Sequence, residues 1–258
     1  MATRVHASAV VARSAELGAD VEIGAGAVVG EGVRIGDGSA VGPHCVVGEP
    51  TRDYYRDPAR YGPAPVEVGS GAILRTGTIL YHGVTVGDHF QTGPYAVVRE
   101  HTRFGRHCSL GNNCDVQAEV RVGDYTRCHS NVTLGQYSIV GSYCWLMPYV
   151  ILMNDFYPPN FVEPRGCHVG DYTVLGGRVV CLPVTIGRHV VAAAQSQIAR
   201  DVEDFSLVQG VPARRVGDCR HLVATRRDGT RYRPYPWPVH RGQGYPFTPE
   251  MIEALQLP

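Results

Sequence analysis

Residues 21–48 read VEIGAGAVVGEGVRIGDGSAVGPHCVVG. An aliphatic residue returns at every sixth position, at Ile23, Val29, Ile35, Val41 and Val47, and a glycine follows each of them. The same count extends back through Leu17 and Val11 to Val5. It restarts at Val68 and runs through Leu74, Leu80, Val86, Thr92 and Val98 as far as Leu152. A third run covers Val169, Leu175 and Cys181, then slips by one residue to Ile186, Ala192 and Ile198, which makes twenty-nine hexads in all. Six matches neither the 3.6-residue period of a helix nor a heptad. It suits very short strands, because positions i and i+4 share parity and face one interior. The i+4 residues are small or branched, among them Ala27, Val33, Ser39, Cys45, Thr102, Cys108 and Val132. The glycine after each aliphatic residue is expected to turn the corner at positive φ. A chain that alternates strand and corner in this way winds as a solenoid.

The rest of the composition narrows the class. Of 258 residues, 44% are apolar and 19% charged, and the formal net charge is +0. That balance argues against a dedicated nucleic-acid binder and against attachment to an anionic membrane. No stretch has the length of a membrane span, and the start, MATRVHASAVV, lacks the charged-then-apolar pattern of an export signal. The expectation is a soluble, cytoplasmic protein. All 24 basic residues are arginine, which excludes a lysine Schiff base or lysine general base. The eight cysteines form no CxxC pair, and most fall on the repeat, so buried free thiols are expected rather than a disulfide framework.

Two loops interrupt the winding, EPTRDYYRDPARYGPAPVE at 49–67 and NDFYPPNFVEPRGC at 154–167. Long loops on a rigid scaffold are frequent sites of binding. We assign residues 1–216 to the repeat domain and 217–258 to a C-terminal extension. In the extension, Asp228-Gly229 between apolar residues signals a hairpin. The segment 234–246 reads as extended and aromatic-rich, and Thr248-Pro249-Glu250 opens a short helix through Leu255. Capping of the open solenoid end is the expected role.

The hexad pattern resembles the hexapeptide-repeat proteins that form an all-β, left-handed parallel β-helix with three hexads per coil. On that resemblance the twenty-nine hexads make about nine to ten coils. Most enzymes of this class are homotrimeric acyltransferases that use acyl-CoA or an acyl carrier protein, with active sites between neighbouring β-helices. Three stretches strengthen the likeness: Val180-Cys181-Leu182-Pro183-Val184-Thr185-Ile186-Gly187, VVAAAQSQIARDV at 190–202, and Gly210-Val211-Pro212-Ala213-Arg214. They imply an acyl-CoA (acetyl-CoA) co-substrate, with Gly176, Ala193 and Ala194 along the pantetheine arm and Arg200 and Arg214 on phosphate, a group that guanidinium binds bidentately. Residues 92–105, 112–135 and 149–159, with Asn154-Asp155 before an aromatic and prolines, are similar to the sugar-nucleotide N-acetyltransferases. The resemblance implies acyl transfer to the amino group of a nucleotide-linked amino sugar. The N-terminal run with its 49–67 insertion is also similar to the O-acyltransferase of the lipid A pathway, which keeps an O-acylation reading open beside a non-catalytic scaffold.

Acyl transfer from a thioester needs an oriented carbonyl, a donor to the oxyanion and an unprotonated nucleophile. His82 is the leading base, because it sits in Leu80-Tyr81-His82-Gly83, at the place in the hexad where related enzymes carry a catalytic histidine. The acid that usually follows is replaced by Gly83, so Glu100 or Asp115 would have to orient the ring. His101 is the second candidate, and Asn154 and Asp155 are read as positioning groups for the sugar amine or the thioester. For the acceptor we single out Arg52, Tyr54, Tyr55, Arg60, Arg99 and Glu100, a mix suited to a diphosphate and a stacked base or sugar. No metal is expected. The carbonic anhydrases that share this fold need three histidines, two of them five residues apart, and no such pair occurs.

Overall fold

Each of the twenty-nine hexads lies in a strand of two to four residues, from Arg4–Val5 to Gln197–Ile198. The architecture comes from a computed structural model that describes residues 2–156 and 165–235, with the backbone of 239–240 and 243–244. The strands stack into three sheets that form the faces of a parallel solenoid of the left-handed β-helix type. The first sheet begins at Arg4–Val5, the second at Val10–Val11 and the third at Glu16–Leu17. Partners across an uninterrupted coil are eighteen residues apart, as in Arg4↔Glu22 and Val97↔Asp115. The sheets hold twelve, ten and nine strands. The first sheet is longer than the hexad count implied, because Ser206–Gly210 adds a parallel rung at Val191↔Leu207 without a glycine to mark it. Ala213–Asp218 then folds back antiparallel on that rung, so repeat and extension share one sheet across residue 216.

The aliphatic hexad residues form one continuous core, including Ile23, Leu74, Leu80, Leu134, Leu152 and Ile198. The small i+4 residues do more than fill space. Thr102 and Thr126 donate to the carbonyls of Gln117 and Gly141 at 2.9 and 2.7 Å, corners of the next coil. Cys108, Cys114 and Cys167 do the same through sulfur, to Gly123, His129 and Leu182 at 2.9, 3.0 and 2.9 Å. A corner carbonyl buried inside the solenoid needs a donor, and a small side chain is the only one that fits. All eight cysteines are buried thiols and none forms a disulfide, as the sequence suggests.

The glycines after the aliphatic residues have a different cause from the one expected. Gly24 and Gly36 are not at positive φ; that conformation falls two residues later, at Gly26 and Gly38. A Cβ on Gly24 would lie 2.7 Å from the Pro43 nitrogen, and one on Gly36 would lie 2.6 Å from the Ser70 nitrogen. Close stacking of successive corners, not backbone freedom, excludes a side chain there. The positive-φ place is often taken by His, Tyr or Asn, as at His107, Tyr125 and Asn131.

On the edge between the third and first sheets these residues stack into a column of rings. His89, His107, Tyr125, Tyr143, Tyr172, His189 and Phe205 follow one another at centroid spacings of 4.6, 4.8, 5.0, 5.1, 4.7 and 4.9 Å. The extension packs on the end of this column. Arg220 lies 4.5 Å over Phe205, the Cys219 thiol donates to the His189 carbonyl, and Tyr235 Oη is 2.5 Å from His189 Nδ1. Among the described residues the extension therefore covers a side of the last rungs. The open end keeps a cleft of about 270 Å³ lined by Ile198, Val202 and Val208. The expected hairpin is present, with Ala224–Thr225 pairing antiparallel with Arg231–Tyr232. The expected helix through Leu255 and most of the aromatic segment lie outside the described residues. No helix among the described residues is long and apolar enough to cross a membrane.

His189 carries a testable cost. Burial, with Arg188 beside it, lowers its pKa from 6.5 to about 4. The unfolded chain therefore takes up this proton first as pH falls. The neutral ring's full contribution is present above pH 6.5 and is lost progressively down to pH 4, by about 3 kcal/mol. Denaturant unfolding of the wild type should show this loss, and His189→Gln should remove that part of the pH dependence. An identical pH profile in both proteins would refute the assignment.

Candidate active site

Departures from the six-residue period gather on one edge, between the second and third sheets. The 49–67 insertion leaves there after Val46–Glu49, and the 154–167 segment leaves there after Ile151–Leu152. The shortened steps before Thr185–Ile186 and Val202 fall there too. His82 sits on this edge, directly after Ile79–Tyr81, and is 4% exposed. A shift in register, with Tyr81 opposite Glu49 rather than Gly48, opens the crevice that its ring enters. Gly48 has φ +93°, and a Cβ on it would meet Val33 Cγ2 at 2.9 Å and His82 Nε2 at 3.2 Å.

The insertion folds back over this ring. Tyr61 Oη lies 2.6 Å from His82 Nδ1 and also accepts the Thr51 backbone N–H at 3.2 Å. With the Glu31 backbone beside the ring, the imidazole hydrogen is assigned to Nε2 and the Tyr61 hydroxyl donates to Nδ1. The opposite tautomer would turn a bare Nε2 lone pair toward the nearby Glu31 carbonyl. Nε2 is buried and makes no hydrogen bond in this state. Burial pushes the His82 pKa below 6.5, opposed in part by the Glu31 carbonyl and by the Glu49 charge. At neutral pH the ring is thus uncharged, with its basic nitrogen holding a hydroxyl.

Beside the pair opens a cleft of about 340 Å³ that includes Thr51, Arg56, Arg60, Tyr61, His82 and His101. His101, at φ +58°, tucks its ring against the Gly83 corner, where a Cβ would lie 2.6 Å from Nδ1. The short helix Arg52–Arg56 presents Tyr54, whose ring packs edge-on against Tyr61 at 5.5 Å. Tyr55 turns away and donates to Glu49 at 3.0 Å. Arg56 and Arg60 stand 3.8 and 3.6 Å from Asp53 and Asp57, so the cleft pairs its positive charges with carboxylates. Arg52 does not line the cleft.

The other sequence candidates are dispersed. Glu100 does not orient His82; both its oxygens accept from Arg99, at 3.1 and 2.7 Å, and Arg99 lies 5.7 Å over the Tyr81 ring. The partner of His82 is Tyr61, a residue of the 49–67 loop that the sequence suggests for acceptor binding rather than for orienting the imidazole. Asn154 and Asp155 lie on the same edge but four rungs further on, roughly 19 Å at the usual rung spacing. Arg200 is six rungs from His82, roughly 29 Å, and shares the end cleft with Arg214. Gly176, Ala193 and Ala194 are on a different edge, between the first and second sheets. The space at Gly176 is filled by the next coil, with the Ala194 nitrogen 2.6 Å from a would-be Cβ, so this glycine serves coil packing. No group of three or more His, Cys, Asp or Glu side chains that could hold a metal occurs among the described residues.

Comparison with known proteins agrees with this architecture. Residues 14–49 match the family described as bacterial transferase hexapeptide (six repeats). The chain is 29% identical to the bifunctional protein GlmU of Thermosynechococcus vestitus over 134 residues, 52% of this chain and 27% of that protein. It is 30% identical to the acyl-[acyl-carrier-protein]--UDP-N-acetylglucosamine O-acyltransferase of Campylobacter concisus over 108 residues, 41% of this chain and 39% of that protein. It thus spans well under half the length of these curated relatives. In fold it is similar to the UDP-N-acetylglucosamine acyltransferase of Arabidopsis, with a TM-score of 0.68 at 19% identity, covering 83% of this chain and 74% of that chain.

Gly48→Ala tests the His82 crevice. A side chain at φ +93° that also collides with Val33 and the imidazole should cost about 1–3 kcal/mol. Denaturant unfolding reads this directly, and unchanged stability would mean that the ring does not occupy the crevice.

Proposed function

We propose that this hexapeptide-repeat protein is an acyltransferase that moves an acyl group from a thioester donor to a nucleotide-linked amino sugar, with His82 as the base. One observation carries the reading: an uncharged, buried imidazole holds a hydroxyl at 2.6 Å beside an open cleft. An acceptor hydroxyl that displaces Tyr61 from Nδ1 would hand its proton to the ring as its oxygen attacks the thioester carbonyl. The C–O bond forms, the C–S bond breaks, and the imidazolium returns the proton to the departing thiolate. The Tyr61 phenol is in this sense a stand-in for the acceptor.

The geometry favours a hydroxyl over the amine preferred from sequence. A hydroxyl has no nucleophilic fraction at neutral pH without a base, whereas an amine does. The name of the Campylobacter relative, an O-acyltransferase that acts on UDP-N-acetylglucosamine, supports the same choice. That name specifies an acyl carrier protein as donor, while the Arg200 and Arg214 cleft suits the phosphates of coenzyme A. We retain the homotrimer as part of the proposal, because the cleft at His82 lies open on an exposed edge that a neighbouring β-helix would close.

Release of free thiol from acyl-CoA and acyl-carrier donors, measured against UDP-N-acetylglucosamine and its amino-sugar analogues, tests this directly. His82→Asn should lower kcat/KM by ~10²–10⁴-fold. For the wild type, kcat/KM should rise with pH through a pKa below 6.5 and level off above it. If His82→Asn recovers rate at high pH, the acceptor is an amine; no recovery marks a hydroxyl. Tyr61→Phe removes the competing phenol, so the acceptor KM should fall while kcat holds. Full activity in His82→Asn at every pH would overturn the reading.

A further inference from the structure

The outer face of the first sheet carries a groove, one edge away from His82. Gln91, Ser109, Arg127 and Trp145 occupy successive rungs in register on this face. At the adjoining edge lie Arg75, Gly93, Gly111 and His129, the two glycines packed directly against the following coil. The result is a groove of about 280 Å³ with Ser109 buried in its floor and a guanidinium at either end. Among the described residues no carboxylate lines it, in a protein whose formal net charge is +0.

Arg127 is held in place. Its guanidinium lies 5.4 Å over the Trp145 ring, and Trp145 in turn stacks on His129 at 5.8 Å and 14°. The indole N–H donates to His129 Nε2, which fixes the imidazole hydrogen on Nδ1. This stack orients the arginine while leaving its charge uncompensated. Among the described residues neither Arg127 nor Arg75 has an acidic partner. Single-sign charge concentrated in a concave, partly desolvated groove attracts an anion of matching length. Arg75 and Arg127 are three rungs apart, roughly 14 Å along the sheet at the usual rung spacing, so an extended anion suits the pair better than a single phosphate.

We infer that this groove binds a diphosphate group, with one phosphate on Arg75, the other on Arg127, and the Ser109 hydroxyl and Gln91 amide as neutral donors between them. The site does not depend on acyl transfer at His82.

The protein has two tryptophans, Trp145 and Trp237. In a Trp237→Phe background, Trp145 alone reports on the groove by fluorescence. Titration with inorganic pyrophosphate, UDP and inorganic phosphate should give saturable binding for the first two and at least about tenfold weaker binding for the third. Arg75→Gln and Arg127→Gln should each weaken pyrophosphate binding at least about tenfold, and Arg121→Gln on the third sheet should not. UDP tighter than pyrophosphate identifies a nucleoside diphosphate; equal affinities identify the diphosphate alone. His82→Asn should bind pyrophosphate like the parent, which separates this site from the acyl-transfer reading. Calorimetry on the wild type guards against an optical artefact, and thermal melts confirm that each variant is folded. The inference fails if pyrophosphate does not saturate by either method, if folded arginine variants bind undiminished, or if phosphate binds as tightly as pyrophosphate.

Discussion

Every coil must place its backbone N–H groups against the carbonyls of the next coil, and this requirement governs the rest of the molecule. A corner such as Gly24 passes so close to the next corner that a single added carbon would sit 2.7 Å from the Pro43 nitrogen. The eighteen-residue repeat keeps like positions above like, so the same exclusion recurs down the edge. From it follow the glycines, the small donors at the i+4 place, and the rings that fill the positive-φ positions. Stability in such a stack is a sum of neighbour terms rather than the product of one central core.

A structure built by repetition has no natural place for a site, and here the candidate site lies where the repeat breaks on one edge. The 49–67 insertion, the register shift at Leu80/Tyr81 and the positive-φ Gly48 coincide around His82. The regular coils above and below hold this arrangement rigidly, and the insertion supplies the aromatic and charged chemistry that strands cannot. The groove at Arg127 uses the opposite device. There the repeat is unbroken, and residues in register on successive rungs line the groove.

The fold was legible because a six-residue period leaves its mark on every turn, and all twenty-nine hexads became strands. Only the last rung, Ser206–Gly210, escaped, because the spacing shortens after Ile198 and no glycine marks the strand. The turn chemistry was read at the wrong residue: glycine occurs both where φ is positive and where a neighbour leaves no room, and a letter does not distinguish the two. His82 and His101, both singled out from the sequence, share a cleft, whereas Asn154 belongs to a rung four steps away, a separation already present in the difference of seventy-two residues. The Tyr61–His82 contact was out of reach, because a loop with no period gives no register for the residue it touches.

The buried thiols give this solenoid an internal recorder. Burial pushes Cys114 and Cys167 up to about 11 and Cys144 up to about 12, and their hydrogens are engaged with carbonyls of the following coil. A thiol in that state is inert to alkylating agents as long as the coil above it stays in contact. The cysteines run from Cys45 near one end to Cys219 near the other, so the order in which they become reactive maps where the stack first parts. Fraying from an end would expose them in sequence, and opening at an insertion would expose them from the middle outward.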